Sequence, residues 1–286
     1  MNVEGYLDQM KQSIQIPFTL FRLILACTIW IAPLSIEGGD QETFPLTSDE
    51  RGESISTILH YESDSPSDFW VYRGFVVKYL CDKKVPKFTI HKISPNQLSI
   101  PEGLLSAKRR STFFVDDHQA RECSSLPFDY KGSGYDRGHL VPAGDFVWDQ
   151  LLKDETFVYS NIFPQTANLN RGIWKHLEEC IREYSASHKT ELIIITGGTY
   201  EETGSITIGK RGLAVPSNTY KIIYSPSDQK IWCYLFPNDF DNFKSIVDYQ
   251  ESVDMIESLV SEDFFDLLPD SIEVILESNL LESFCR

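Results

Sequence analysis

Several signatures of common enzyme classes are missing from this sequence. No two cysteines are spaced as C-x-x-C, which excludes a zinc knuckle and a thioredoxin-type redox pair. No G-x-S-x-G occurs, so a serine esterase built on a nucleophile elbow finds little support. No asparagine begins an N-x-[ST] sequon, which argues weakly against the secretory pathway. No internal repeat is visible, so a solenoid or propeller is not indicated either.

The length and composition are those of a globular protein. The chain has 286 residues, of which 42% are hydrophobic and 24% charged, with 16 glycines and 14 prolines. Such a chain can bury a substantial core as one large domain or two small ones. The same numbers exclude a disordered tail, a collagen-like fibre, a coiled coil and a disulfide-dense mini-protein.

The acidic net charge is unevenly distributed. The formal charge is −16, which by itself argues against a nucleic-acid partner. Residues 73–110, however, carry 9 basic and 2 acidic side chains, whereas residues 239–286 carry 2 basic and 13 acidic ones. The ordinary interpretation of the basic block is a solvated face. A local positive field can nevertheless dock a polyanion whatever the distant net charge, so this interpretation also stays open.

An apolar stretch lies near the N-terminus. It runs from Ile16 to Ile36, and its uninterrupted portion, residues 23–36, falls short of the roughly 20 residues that cross a bilayer. Arg22 would have to reach toward the lipid headgroups for residues 17–36 to span. A secretory signal with a long leader, a single-pass anchor, a mitochondrial targeting and anchoring segment, and an ordinary buried helix all remain open.

These features divide the chain into three parts. We assign residues 1–40 to an N-terminal hydrophobic targeting or anchor segment. Residues 41–68, rich in serine, acidic residues and glycine and without periodicity, are predicted to be a linker. Residues 69–286 are predicted to form the folded domain, which ends in an acidic helical segment.

Hydrophobic periodicity predicts an α+β domain. Apolar residues recur at helical spacing over 170–187, which predicts an amphipathic helix there. The predicted strands are Phe75–Leu80, Phe88–Ile93, Phe157–Ser160, Leu192–Thr196, Leu213–Val215, Tyr220–Tyr224 and Ile231–Phe236. Strands and helices mixed in this order give an α+β domain with a central antiparallel sheet.

The first candidate site is a histidine that closely follows an arginine. His139 alone would usually be a structural residue, but Arg137 is a permanent cation able to meet a phosphate oxygen bidentately. Gly138 between them is expected to let the backbone approach a ligand closely. Asp136 is expected to hold this turn by bonding backbone amides, which is a structural role.

The second candidate site lies about thirty residues downstream. Asn170 stands at or just before the predicted helix start, and Trp174 and Glu178 follow at i+4 and i+8, so all three are predicted to project from one side. The ordinary roles would be an N-cap for the asparagine and a surface charge for the glutamate. An amide oxygen with a carboxylate behind it also suits a hard cation such as Mg²⁺, which takes few protein ligands.

Together these residues resemble the DNA/RNA non-specific endonuclease family, the ββα-metal nucleases. The likeness rests on Asp-Arg-Gly-His at 136–139 and on the S-N…N-x-N-x-x-x-W-x-x-x-E run from 160 to 178. Val85-Pro86 and Val-Pro-Ala-Gly at 141–144 are most similar to the endonuclease G and mitochondrial exo/endonuclease G branch. The resemblance covers about residues 70 to 270. It implies a ββα-metal (His-Me finger) fold with a central antiparallel sheet and flanking helices.

The resemblance also implies a role for each candidate residue. His139 would be the general base that activates water, and Asn170 the single direct protein ligand of the metal. Glu178 would anchor the water shell of that metal, and Asn161 would orient the histidine or a phosphate oxygen. Structural roles are left for Asp136, Gly138 and Trp174.

Substrate contacts would come from arginines. The resemblance implies that Arg137 contacts the scissile phosphate and that an upstream arginine clamps the transition state. Arg109 and Arg110 compete for that second place.

The activity implied is metal-dependent hydrolysis of phosphodiester bonds in DNA and RNA with little sequence selectivity. One Mg²⁺ or Mn²⁺ per active site, frequent homodimers and a mitochondrial, membrane-anchored location are further expectations, with the secretory pathway as the alternative location. A catalytically weak nucleic-acid-binding or regulatory protein of the same fold is the alternative function. The acidic C-terminal segment motivates it, since that segment could occupy the substrate groove.

Overall fold

The computed structural model describes residues 69–100, 105–114, 123, 125–201, 204–239, 244–265 and 281–285. The segments assigned above to targeting and to the linker lie outside these residues. None of the helices in the described ranges is both long enough and apolar enough to span a membrane.

A six-stranded antiparallel sheet forms the centre of the structure, as the sequence predicted. The strands in chain order are β1 Phe69–Val71, β2 Phe75–Leu80, β3 Val85–Ile93, β4 Asp136–His139, β5 Ile162–Gln165, β6 Leu192–Thr199, β7 Thr207–Ile208, β8 Leu213–Ala214, β9 Asn218–Ser225 and β10 Lys230–Pro237. The large sheet has the order β1-β2-β3-β6-β9-β10, while β4 pairs with β5 and β7 with β8 as separate two-stranded ribbons. The candidate residues 136–139 therefore lie on a ribbon beside the main sheet rather than within it.

In the described ranges, four α-helices flank the strands. They are α1 Pro127–Tyr130, α2 Gln150–Glu155, α3 Trp174–His188 and α4 Val253–Val260. Side chains of α3 pack with one face of the sheet, and those of α4 pack with the other face together with Phe264 and Phe265. Because both faces are covered, the central strand β6 is buried along its whole length. Its near-continuous run of β-branched residues follows from that burial.

Two predicted strands differ from those observed. The strand predicted to stop at Thr196 continues through two glycines to Thr199. A Cβ at Gly197 would lie 2.4 Å from the Tyr220 hydroxyl, so a larger residue would clash with the neighbouring strand. The glycine there permits close strand packing and does not end the strand. The predicted strand over 157–160 was wrong, since Tyr159–Asn161 form a 3-10 turn. A single β-bridge pairs Val158 with Phe114, and the rings of Phe157 and Tyr159 pack against Phe113.

The helix predicted over 170–187 begins with an irregular turn. Leu169–Ile173 form a π-helical turn, in which Gly172 has non-helical angles (φ −103°, ψ −112°), and α3 proper follows. Asn170 therefore lies inside a wide turn and does not cap the helix. One extra residue in a turn rotates the chain before it by about 100° relative to the helix after it.

Two disulfides cross-link the described residues. Cys81 bonds Cys123, and Cys180 on α3 bonds Cys285 near the C-terminus, with sequence separations of 42 and 105. Cys233 is buried and unbonded. Cysteine counting did not predict this pairing, because connectivity depends on which sulfurs the fold brings together.

Candidate active site

A cleft of about 530 Å³ is lined by residues of both candidate sites: Asp136, Arg137 and His139 from the first and Asn170 from the second. Its walls are formed by Arg109, Phe113, Pro127, Tyr130, Lys131, Tyr135, Asp136, Arg137, His139 and Asn170. Three of these side chains are permanent cations and one is an acid. An anionic ligand therefore meets a positive field here, although the whole chain is acidic.

The β4–β5 ribbon presents His139 to this cleft. His139 is opposite Ile162 in the ribbon, and the next residue, Leu140, donates its backbone N–H to the Asn161 carbonyl at 3.0 Å. The imidazole packs against the rings of Phe113 and Phe157, whose centroids lie 5.2 and 5.0 Å away. Its Nε2 is buried and has no hydrogen-bond partner among the described residues. The ring is thus held by packing, with one nitrogen left for a ligand.

The surroundings of His139 keep the ring neutral. Burial, together with the positive charges of Arg109 and Arg137, lowers the pKa of His139 to about 3. A histidine has an ordinary pKa near 6.5 and would be partly charged around neutral pH. Here the imidazole is uncharged at pH 7, so it can accept a proton without first losing one.

Asp136 joins the histidine strand to the first turn before α3. Its carboxylate accepts a hydrogen bond from Asn170 Nδ2 at 2.8 Å and two from the Arg171 guanidinium at 2.7 and 2.6 Å. The Arg171 hydrogen bond is the largest of the effects that lower the pKa of Asp136. The expectation that Asp136 bonds backbone amides was therefore wrong, since it bonds side chains of a neighbouring element.

The contact with Asp136 determines which way the Asn170 amide faces. A carboxylate only accepts hydrogen bonds, so the NH₂ group of Asn170 must turn toward it. The amide oxygen is then left over, and it receives no hydrogen bond from any residue the structure describes. Asp136, whose carboxylate orients the amide, and Asn170, which carries the free oxygen, both belong to the cleft wall.

Gly138 is required for packing and not for contact with a ligand. A Cβ at this position would lie 2.4 Å from Oε1 and 2.7 Å from Cβ of Gln165, which backs against the ribbon. Any side chain at position 138 would therefore displace the neighbouring strand. The expected close approach does occur, but to Gln165.

Asn161 lies behind the site and not in it. The residue is fully buried, and its amide oxygen accepts the Val141 backbone N–H at 2.9 Å. Its NH₂ group donates to the carbonyls of Val141 and Thr156 at 3.0 and 2.9 Å. Because these bonds occupy both ends of the amide, it does not contact the His139 ring or a phosphate directly, contrary to the expectation. Its effect is to fix the backbone just after the histidine.

Glu178 also does not contribute to the cleft wall. It lies in a charged cluster with Lys221, Asp145 and Arg182, and burial raises the pKa of Glu178 and lowers that of Lys221. Trp174, four residues before it, is buried in the core under Lys221 Nζ, which is 4.5 Å from the ring. Asn170 lines the cleft and Glu178 does not, so a metal site shared by the two side chains stays a prediction.

Sequence reasoning missed Lys221, which supports the histidine segment from the main sheet. The side chain is fully buried on β9 and donates to the Leu140 carbonyl at 3.2 Å and to Thr196 Oγ1 at 2.9 Å. A lysine is rarely buried without such partners. The available signal was a single charged residue in a strand that is otherwise uncharged and rich in aromatic and β-branched residues.

The structure separates the two competing arginines. Arg109 is part of the cleft wall, and its guanidinium lies 5.2 Å from the Phe157 ring centroid. Arg110 instead pairs with Asp154 at 3.3 Å and stacks over Phe114. Of these two arginines, Arg109 is the one that lines the cleft together with His139.

Most of the basic block has other partners. Lys78 pairs with Glu262 at 2.8 Å, and Lys87 pairs with the same carboxylate. Arg73 pairs with Glu155 at 3.5 Å. None of these side chains belongs to the cleft wall. The acidic C-terminal segment, where described, thus neutralises lysines away from the cleft, which gives no support to the idea that it fills the groove.

Comparison with known sequences gives consistent matches. The family model described as DNA/RNA non-specific endonuclease matches residues 56–271. Nuclease C1 of Cunninghamella echinulata var. echinulata is 29% identical over 75% of this chain and 89% of its own length. The mitochondrial nuclease EXOG of Mus musculus is 30% identical over 71% of this chain and 58% of its own, and mitochondrial endonuclease G of Bos taurus 32% over 48% and 50%. The chain therefore matches about half to three fifths of these two mitochondrial relatives.

A solved structure has the same fold. It is the crystal structure of a complex between EndoG and EndoGI, described as revealing the mechanism of EndoG inhibition. The TM-score is 0.66 at 27% sequence identity, and the match covers 77% of this chain and 92% of that one. The similarity thus extends over most of both chains.

Proposed function

The chain belongs to the DNA/RNA non-specific endonuclease family, and we propose that it is a metal-dependent nuclease hydrolysing phosphodiester bonds in DNA and RNA with little base selectivity. One observation carries the proposal. A neutral imidazole with an unpartnered nitrogen and an amide oxygen oriented by a carboxylate line the same cationic cleft. These are the components needed to attack a phosphodiester and to hold a divalent cation beside it.

Asn170 is the residue proposed to hold the cation. Its free amide oxygen is a hard donor, and Mg²⁺ or Mn²⁺ keeps most of its waters when few protein ligands are present. Asp136 fixes the orientation of that donor. A divalent cation held there supplies positive charge to the phosphate oxygens and the leaving oxygen.

His139 is proposed to remove the proton from the attacking water. The ring is neutral, and packing against Phe113 and Phe157 fixes its direction. Arg109 and Arg137 would neutralise the phosphate, and each guanidinium already rests on an aromatic ring of the cleft. Contacts of this kind recognise backbone and carry no base information, so poor sequence selectivity follows.

The proposal predicts metal-dependent cleavage and a difference between the two arginines. Plasmid DNA and single-stranded RNA should both be cut in the presence of Mg²⁺ and left intact in EDTA. Arg109→Ala should lower kcat/KM by about 10²–10³-fold, because it removes a charge-assisted contact to the phosphate in a partly dry cleft. Arg110→Ala is the matched control and should stay within a few-fold of wild type. Cleavage in EDTA, or equal losses in both variants, would contradict the proposal.

We also propose a membrane-anchored mitochondrial location, with residues 1–40 as the targeting and anchoring segment. The relatives named as mitochondrial support it. The two disulfides further require an oxidising compartment. A C-terminally tagged protein should co-purify with mitochondrial membranes and lose that location when residues 1–40 are deleted. Recovery from the secretory pathway instead would overturn this assignment.

A further inference from the structure

A second cleft, of about 660 Å³, adjoins the first at the start of α3. Its walls include three basic side chains, Arg171, His176 and Lys244, and none of its described wall residues is acidic. Its floor is partly bare backbone, since a Cβ at Gly172 would meet nothing within 4 Å. The opening is therefore positive and allows close approach to the main chain.

The two clefts are linked through neighbouring residues of one turn. Asn170 belongs to the first cleft and Arg171 to the second, and Asp136 binds both side chains. A polynucleotide bound at Asn170 can therefore extend past Arg171 into the second cleft. The first cleft has its own cations, namely Arg109, Lys131 and Arg137.

We propose that this second cleft is a subsite for a backbone phosphate of the nucleic acid, at least one nucleotide beyond the scissile phosphate. The inference rests on the proposed nuclease function and specifies where the strand continues. The ligand is the phosphodiester group of a polynucleotide, recognised by charge and without reference to the base.

The side chains suit that ligand. The Arg171 side chain is 72% exposed, and its Nε and one terminal nitrogen donate to Asp136. Its other terminal nitrogen can still donate to a phosphate. Lys244 makes no ion pair with any described residue, and its ammonium is a compact point charge of the kind that contacts phosphate.

The test measures binding without turnover. Because Arg171 also orders Asp136, the informative change is Lys244→Gln, and Lys189→Gln at the far end of α3 is the matched control. The probes are a twelve-nucleotide oligothymidylate and a dinucleotide with one phosphodiester, both titrated in EDTA at several salt concentrations. Lys244→Arg keeps the charge and should behave as wild type.

The expected result is a loss confined to the longer probe. Removing one phosphate contact should reduce the slope of log affinity against log salt by about 0.7 and weaken oligothymidylate binding about 5-fold at 0.1 M salt. Dinucleotide binding should not change. Plasmid cleavage by the wild type is measured alongside, so that nuclease activity is tested separately from the subsite.

Three outcomes would overturn the subsite. Lys244→Gln could match Lys189→Gln in both slope and affinity, or it could weaken the dinucleotide as much as the longer probe. The wild type could also fail to bind oligothymidylate in any salt. If the wild type cleaves plasmid and the first or second outcome is found, the subsite is wrong while the proposed function stands.

Discussion

Replacing His139 with alanine is expected to reduce the rate of plasmid cleavage by about 10²–10⁴-fold, the range for a positioned general base. The loss should fall on kcat, with little change in the affinity for nucleic acid measured in EDTA. The physical reason is that Nε2 is buried without a partner in a cationic cleft, so the ring contributes to proton transfer more than to binding.

The pH dependence of the wild type tests the lowered pKa of His139. Because the pKa of His139 is lowered to about 3, kcat/KM of the wild type should show no acid limb near 6.5 and should stay level from pH 8 down to about 5. His188→Ala, at the exposed end of α3, is the matched control and should retain full activity. Near-normal cleavage by His139→Ala would show that another group is the base, whereas an acid limb at 6.5 would show that the pKa of the base is not lowered.

Replacing Asn170 with alanine is expected to have the second largest effect. Without the amide oxygen the proposed cation site has no direct protein ligand, and the loss of several kcal/mol of charge stabilisation corresponds to about 10²–10³-fold in rate. Mn²⁺ binding, followed by electron paramagnetic resonance without substrate, should weaken in parallel. This second measurement reports on the site independently of catalysis.

A second substitution tests the orienting role of Asp136. Asn170→Asp keeps an oxygen donor but turns a carboxylate toward the Asp136 carboxylate, where the wild type has an N–H donor. We therefore expect it to remain impaired, because like charges at hydrogen-bond distance repel. Asn96→Ala, on an exposed turn, is the control. Unaltered Mn²⁺ affinity in Asn170→Ala would remove this residue from the cation site.

The fold class was predictable because its signals are local. Alternating and continuous apolar runs identified the strands Phe75–Leu80, Tyr220–Tyr224 and Ile231–Phe236 within one or two residues of their observed bounds. The antiparallel sheet was inferred from the mixture of strands and helices along the chain, whereas the order of its strands was not predicted. These features depend on burial, which hydrophobic periodicity reports directly.

The partners of the polar residues were not predictable in the same way. Helical spacing placed Asn170 and Glu178 on one side, but it could not predict the π-helical turn that holds Asn170 or the charged cluster in which Glu178 lies. Asp136 and Asn161 were recognised as notable, yet their bonds reach elements far away in the sequence. Which side chain a carboxylate or amide meets depends on tertiary contacts that no local pattern contains.

The Cys180–Cys285 cross-link ties a segment 105 residues further along the sequence to the helix that starts beside Asn170. In the chain-entropy picture, closing a loop of about 100 residues is worth roughly 4.7 kcal/mol. A thiol reagent in a storage buffer would open that bond. Preparations that differ only in redox history are therefore expected to differ in stability, even though their sequences are identical.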